Sequence, residues 1–543
     1  MTVIAWGENS MFTNGVIFVN EDRYGANQGS INFYDYGSNE MRYNVFATVN
    51  PGILLGVTSQ HAQLFGGRLF VMSKQANGSE ASGNMVGSRL AVLDAVTLQQ
   101  QARLMRFGAT PDSTYDGRAY CAVNNSKGYV STNAGIFVID VANMTSSGPI
   151  EGTQSSARGD YNSLYHDQCG DMVRFGQYVF AVQQGKGLHV IDPMTDAVVV
   201  TLPFPDIVTV FVTAGGNLYV ANNNREVYDF GTGPYQADFT QIDPVTFETL
   251  AVHSLGDKGA LCAWGAWHAR MLCVDPVDEK VYYNHEEYQN FISCYDFDND
   301  VLTDTLILLP DAAEINWDGS QNRQGLYSSA LSFDPHTGNM VVQTTEAAPM
   351  YAYEIFNHNW VLFYDVATAS LLRQVRLQDN YWFPAIAVYP DRCDPTVYVA
   401  EQSLTVGQEA AISLLQAVRD EDNMSALAVT TANSSDEGIV KAWVSGLDLH
   451  LLAVGQGTAR VHVVTDSNGR LATCDFTVIV TKAPLVGDVN MDGLVDLSDV
   501  TKLIEALLGS VLCDYDSGAA DVNQDHQLNV ADVVALIYLI LNA

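Results

Sequence analysis

Asp488, Asn490 and Asp492 stand at alternate positions of the stretch DVNMDGLVDLSD, with Gly493 next and Asp499 at the twelfth place. The same spacing returns 33 residues later as Asp521, Asn523, Asp525 and Asp532. Short carboxylates and amides at alternate positions can wrap their oxygens around one hard cation, and calcium takes about six to eight oxygens at flexible distances. Each loop offers side-chain oxygens at positions 1, 3, 5 and 12 and a backbone carbonyl at position 7, from Leu494 in the first and Gln527 in the second. Two calcium ions are expected. The sixth position makes a sharp turn that favours glycine. It holds Gly493 in the first loop but His526 in the second, so the second site is expected to be the weaker.

A helix must follow each loop to hold it. SDVTKLIEALLG (498–509) and ADVVALIYLIL (531–541) place apolar residues at i, i+3, i+4 and i+7. Each unit is then a calcium loop plus one helix, without the entering helix of an EF-hand. Over residues 486–543 this arrangement resembles a type I dockerin. The resemblance implies a cohesin-like protein as partner, contacted near loop positions 10 and 11, here Leu497, Ser498, Val530 and Ala531. A segment this short has little core of its own, so metal binding is expected to supply its folding energy.

A second group of chemistry-bearing residues lies far upstream: His61, Arg118, Tyr165, His166, Trp264, Trp267, His268, Tyr327, Trp382 and Phe383. Their aromatic, imidazole and guanidinium groups suit a sizeable planar ligand or a sugar, provided one scaffold brings them together. The scaffold follows from a repeat. An apolar strand, an aspartate, a tight turn and another strand recur at Asp35, Asp94, Asp140, Asp192, Asp243, Asp296 and Asp365. An aspartate opening a tight turn accepts hydrogen bonds from the backbone ahead of it. A further tight turn precedes it in FGGRLFV (65–71), AGGNLYV (214–220) and DPHTGNMVV (334–342). Each unit reads as four antiparallel strands, and seven such units make a β-propeller. FPAIAVYPD (383–391) is a lone strand that can close the ring on the first unit, with residues 2–6 as the competing choice. Long connections such as 74–88, 222–238 and 344–359 then gather on one face, where the ten residues would line a funnel.

The opening VIFVNEDRYGANQGSINFYD resembles the first blade of secreted seven-bladed propellers of the surface-layer or YVTN type, found on Gram-negative gut anaerobes. Some of that wider group are surface lipoproteins that capture corrinoids for an outer-membrane transporter. The resemblance covers about residues 15–390 and implies a corrinoid as one ligand. After Pro395 short alternating strands with glycine turns predict a β-sandwich over 396–482. Its string LLAVGQGTARVHVVT resembles bacterial Ig-like modules of group 2, which act as spacers or adhesion units. The expected organisation is a propeller over 1–395, the sandwich, and a small helical calcium-loop domain over 486–543, mostly β overall.

Bulk composition narrows the function. The 543 residues carry a net charge of −36, which argues against nucleic acid or an anionic membrane as partner. No apolar run is long enough for a transmembrane helix. The start MTVIAWGENS carries no signal peptide pattern. The eight cysteines form no C-x-x-C pair, and their scatter favours free buried thiols. His166-Asp167 and His285-Glu286-Glu287 are adjacent polar residues in loops, and no catalytic signature accompanies them. Asp296, Asp298 and Asp300 read as an acidic turn rather than a third calcium site. The expectation is an exported or cell-surface, non-catalytic binding protein that captures a corrinoid or a glycan. The alternatives are a propeller enzyme (lyase, lactonase or glycan-active) and a structural or adhesion protein.

Overall fold

The computed structural model describes residues 11–542 apart from 24–27, 76–86, 109–114, 156–166, 226–234, 260–271, 286–287, 316–320, 348–354, 423–427, 483–484 and 510–513. Up to residue 388 the described chain is a succession of four-stranded antiparallel meanders. One such sheet runs Val57–Phe65, Arg68–Gln75, Leu90–Asp94 and Gln100–Leu104. Four more of the same order follow to Leu308, with innermost strands at Gly117–Asn124, Cys169–Phe175, Ile207–Val212 and Leu272–Val274. The last group starts with Gln321–Phe333 and ends with Ser370–Arg376. The first group is completed from the far end of the chain: Pro384–Val388 pairs with Gly15–Asn20, Ile17 facing Val388. The competing segment, 2–6, lies outside the described residues. A single parallel bridge between Ser329 and Ile386 joins the first and last groups.

The core sits between sheets rather than within them. Ile17 and Phe33 of the first group pack on Leu64 and Val71 of the second. Equivalent buried clusters separate each sheet from the next. A final cluster joins Val341, Val361 and Phe363 of the last group to Val16, Phe18 and Tyr34 of the first. This is a propeller-like arrangement. Inner strands are buried on both faces and read as near-continuous apolar runs. Outer strands such as Ala197–Leu202 alternate between exposed and half-buried residues, as an edge strand with one wet face should.

The recurrent aspartates do what their turns require. Asp94 Oδ1 accepts from the backbone N–H of Val96 (3.0 Å) and Thr97 (2.8 Å). Asp35, Asp140, Asp192, Asp243, Asp296 and Asp365 each accept from a backbone N–H two or three residues ahead. Four residues after each aspartate, one residue takes a left-handed backbone: Asn39, Leu98, Met144, Asp196, Phe247, Asp300 and Ala369. The acidic turn at 296–300 is spent internally. Asp296 caps Asn299, and Asp300 accepts from the Tyr295 hydroxyl and pairs with His253, so these carboxylates do not converge on an ion.

Beyond residue 395 two sheets share one core. Gln402–Thr405, Arg470–Thr481, Gly457–Ser467 and Ala428–Ser434 form one sheet; Glu409–Ser413, Asp448–Ala453 and Val440–Ser445 form the other. Val440, Leu449, Leu451, Val461, Val463 and Val478 are buried between them. The tail holds helices Leu497–Leu507 and Val530–Asn542, packed through Val500, Leu503, Val533 and Leu536. Six cysteines are described, with Cys121, Cys169, Cys273 and Cys294 buried; Cys262 and Cys513 lie outside the described residues. Among the described residues no helix is long and apolar enough to cross a membrane.

Candidate functional site

The backbone hydrogen bonds that shape the two tail loops recur at an offset of 33 residues. In the first, Asp488 accepts from the backbone N–H of Asp492 (3.0 Å) and Gly493 (2.9 Å), and Asn490 Oδ1 accepts from Asp492. In the second, Asp521 accepts from Asp525 (3.1 Å) and His526 (2.9 Å), and Asn523 Oδ1 accepts from Asp525. Asp499 is fully buried and ties the loop to its helix, accepting from Asn490 N and Asp496 N; Asp532 does the same for Asn523 and Asn529. Asp496 caps the first helix in a capping box with Asp499. Three carboxylates, an amide oxygen and the carbonyl of residue 494 or 527 make an all-oxygen donor set, which fits calcium and not a soft metal. Among the described residues no group of three or more His, Cys, Asp or Glu side chains is close enough together to hold a metal ion as it stands.

His526 has φ 62°, where Gly493 has φ 87°. A side chain in this left-handed region costs roughly 1 kcal/mol. Because the loop orders around its ion, that strain subtracts from binding. His526→Gly should therefore tighten the second site about fivefold. Calorimetric titration of the full chain resolves this as convergence of two unequal affinities; two affinities unchanged by the substitution would show that the turn at position 6 is not what separates them.

The four residues expected to meet a partner, Leu497, Ser498, Val530 and Ala531, are all exposed at the starts of the two helices. The same exposed stripe continues through Ile504 and Leu508 on the first helix and through Val534, Tyr538 and Leu541 on the second.

At the centre of the sheet ring the heads of the innermost strands are irregular. Ser59 faces Ser73 while His61 faces Met72, which leaves Gln60 as an extra residue. Arg118 is extra in the same way between Gly117 and Ala119, and Asp171 falls in the break between Cys169 and Met172. The strand from Ile207 breaks at Val208, the strand from Pro384 at Ala385, and Tyr327 opens a wider break that ends at Leu331. A bulge re-aims a side chain that regular pairing would bury within the sheet. It thus delivers polar groups toward the centre.

Several of these groups meet. Gln60 Nε2 (2.8 Å) and the Tyr327 hydroxyl (2.9 Å) both donate to Glu21 Oε2, with all three residues buried. The backbone N–H of Glu21 donates to the Phe383 carbonyl. The Phe383 ring lies 3.9 Å from that of Tyr327, and Tyr288 and Phe356 complete a four-ring group. Asp22, next to Glu21, has its carboxyl pushed well above the usual range by burial, against a hydrogen bond from Ser30 and with the Glu21 charge adding to the rise. Asp171 accepts from the Thr209 hydroxyl of the neighbouring sheet (2.8 Å). Non-glycine residues with left-handed backbone occur on this side as they do in the aspartate turns: Asp22, Thr58, Asp167, Asn224, Tyr288 and Phe383.

Of the residues expected here, Tyr327 and Phe383 belong to this group and Arg118 is buried on its bulge. His61 bridges sheets instead, its Nδ1 accepting from Tyr120 N at 3.3 Å. Trp382 packs in the cluster between the last and first groups, its indole N–H donating to the Gln378 carbonyl. Tyr165, His166, Trp264, Trp267 and His268 lie outside the described residues. Sequence reading missed Glu21, Gln60, Asp171, Tyr288 and Phe356. Glu21-Asp22 directly after the run GVIFVN was a visible signal for the first of these; the bulges have none.

The opposite end of the ring is covered. The turn between Gly457–Ser467 and Arg470–Thr481 reaches it: Gly66 N donates to the Asn468 carbonyl (2.6 Å) and Asn125 Nδ2 to the Gly469 carbonyl (2.9 Å). Buried Asp466 faces Arg174 at 3.9 Å, and Arg470 donates to Asp391 and Asp394. Gln177 reaches the Val444 carbonyl of the second sheet. The two-sheet unit is thus seated on the short turns, leaving the side of the long connections free of it.

Comparisons agree with this anatomy. A quinonprotein alcohol dehydrogenase-like protein from Bacteroides thetaiotaomicron superposes with a TM-score of 0.50 at 16% identity, over 70% of this chain and 79% of that one. The β-propeller domain of Cps50 (Swd1) from Myceliophteria thermophila gives 0.38 at 13% identity, over 61% and 94%. A fungal alcohol oxidase of the AA5 family, solved with copper, gives 0.35 at 11%, over 87% and 98%. At these identities the first likeness is one of fold, and the other two carry no argument. No curated protein matches. Residues 486–541 match the Dockerin type I domain, whose members characteristically bind calcium. Residues 14–390 match the model of the family described as Domain of unknown function (DUF5074), and the chain belongs to that family.

Proposed function

We propose that this is an extracellular or cell-surface binding protein. Residues up to 395 form a closed seven-bladed propeller that captures a ligand on the face of the long connections. The sandwich, an Ig-like module over 396–482, covers the other face and spaces the propeller from the tail. The tail, over 486–543, docks on a cohesin-like protein when its two loops hold calcium, through Leu497, Ser498, Val530 and Ala531. The observation that carries ligand capture is the coincidence, on the face of the long connections, of strand-head bulges and buried polar groups. The other face takes contacts from the two-sheet unit.

The ligand class that fits is a corrinoid or a glycan with a planar or ring-shaped apolar face. Calorimetry on dialysed full-length protein tests this with cyanocobalamin and neutral oligosaccharides as probes. Saturable binding of one of them, weakened about tenfold by Tyr327→Phe through loss of the hydroxyl that orients Glu21, is expected. Failure of every probe to bind would leave a structural role for the propeller. Turnover of the probe in place of reversible binding would assign the enzyme reading, with Glu21 and the neutral-leaning Asp22 as its acid–base pair.

A further inference from the structure

Trp360 and Trp382 are buried, but Trp443 is 40% exposed on the outer face of the three-stranded sheet of the sandwich. A single exposed apolar side chain is ordinary on a protein surface; what sets this one apart is its surroundings. The strand register defines its surroundings. Trp443 faces His450, which faces Ala411, so these three form one row across the sheet. On one side lies the row Lys441, Leu452 and Glu409; on the other, Ser445, Asp448 and Ser413. The alternate residues Val440, Leu449 and Leu451 point inward to the core, which puts all nine on the outer face.

The Trp443 and His450 rings lie 5.3 Å apart between centroids with an 11° angle between planes, a stacked pair that holds the indole in place. Small residues, Ala411, Ser413 and Ser445, leave the surface beside it flat. Lys441 and Glu409 stand two positions along on one side, and Asp448 on the other. The face therefore combines one rigid aromatic platform with donors and acceptors of both signs around it.

We propose that this face is a carbohydrate-binding platform, taking one ring of a neutral polysaccharide. The apolar C–H face of a pyranose would stack on Trp443, while its hydroxyls reach Asp448, Glu409 and Lys441. Charge selects the occupant. A basic and an acidic side chain occupy the same row, so a strongly anionic chain meets Glu409 and Asp448, and a cationic one meets Lys441. The apolar area is one indole and Leu452, too little and too interrupted by charge for a stable protein interface. A polyol with one apolar face matches both features.

Affinity electrophoresis of the full-length protein tests the platform, in gels containing mixed-linkage β-glucan, galactomannan or xylan, with polygalacturonate as the acidic control. At least one neutral polysaccharide should retard the protein. Trp443→Ala should raise the apparent Kd about tenfold, the effect of losing one aromatic stacking contact, and Trp443→Phe, which keeps a ring, by about threefold. Unchanged thermal melting of both variants confirms that the exposed position is not needed for folding. Tyr327→Phe, at the propeller centre, reports any share of the retardation that comes from the propeller, and Trp443→Ala must lower what remains in that background. The proposal is overturned if no neutral polysaccharide retards the protein, if only polygalacturonate does, if Trp443→Ala binds as the unaltered chain does, or if Tyr327→Phe alone abolishes retardation.

Discussion

Chelation of calcium should unfold residues 486–541 while the propeller and sandwich stay intact. In excess EGTA the amides of Leu497–Leu507 and Val530–Asn542 should exchange at nearly the rate of an open chain, and the helical signal should return on adding calcium. The cause is the size of the tail's core. Among the described residues its fully or nearly fully buried apolar side chains are Val489, Val500, Leu503, Ala519, Ala520, Val533 and Leu536, too few to order a segment of this length. The loops work against it as well, since each gathers three aspartates whose charges repel without an ion between them. With calcium at about a thousand times Kd, each site contributes about 4 kcal/mol to the folded form. Asp499→Ala and Asp532→Ala should each weaken the tail strongly, because these buried carboxylates also bind the loop backbone to its helix. Magnesium should not substitute, as it demands tighter octahedral geometry than a loop of alternating ligands supplies. Slow exchange of both helices in EGTA would mean that the tail folds without its ion.

Arg225→Met should cost the propeller about 3–5 kcal/mol, more than any surface substitution. The Arg225 guanidinium makes a two-point contact with Asp206, at 2.8 and 2.9 Å, and its backbone N–H adds a third bond. Both side chains are almost wholly buried, and the guanidinium lies over the ring of Tyr235 at 5.2 Å. Removing one partner strands the other charge away from water. The pair ties the root of the long connection after Asn222 to the head of the innermost strand Ile207–Val212, so loss of the ion pair should also loosen the side of the long connections. Arg376, paired with Asp379 at 2.8 Å but exposed, is the control. Arg376→Met should cost less than about 1 kcal/mol. The two are compared by urea midpoints of the propeller transition. Equal costs would show that burial of the Arg225 pair is not what matters.

How far the molecule could be read without coordinates varied by element. The seven turn aspartates were legible because their partners lie two or three residues ahead. The left-handed residue that follows each was not. Leu98, Met144, Phe247 and Ala369 are poor choices for such backbone, and only pairing with the outer strand forces them into it. The closing strand was legible from its lack of partners nearby. His61 and Trp382, expected at strand heads, have side chains that bridge sheets and fill the last core cluster. The turn Asn468-Gly469 was a visible hairpin signal, but nothing local says that it lands on Gly66 and Asn125.

The sequence by itself determined the two calcium loops, their helices and the repeated hairpins, because the interactions that define them fall within about a dozen residues. Tertiary structure alone decided which side chains meet at the centre of the ring and which of its ends stays open. Those outcomes hang on single-residue bulges within hairpins and on groups brought together from distant parts of the chain, such as Glu21 and Tyr327. One extra residue sends a side chain to the opposite face, and no local pattern records where it occurs.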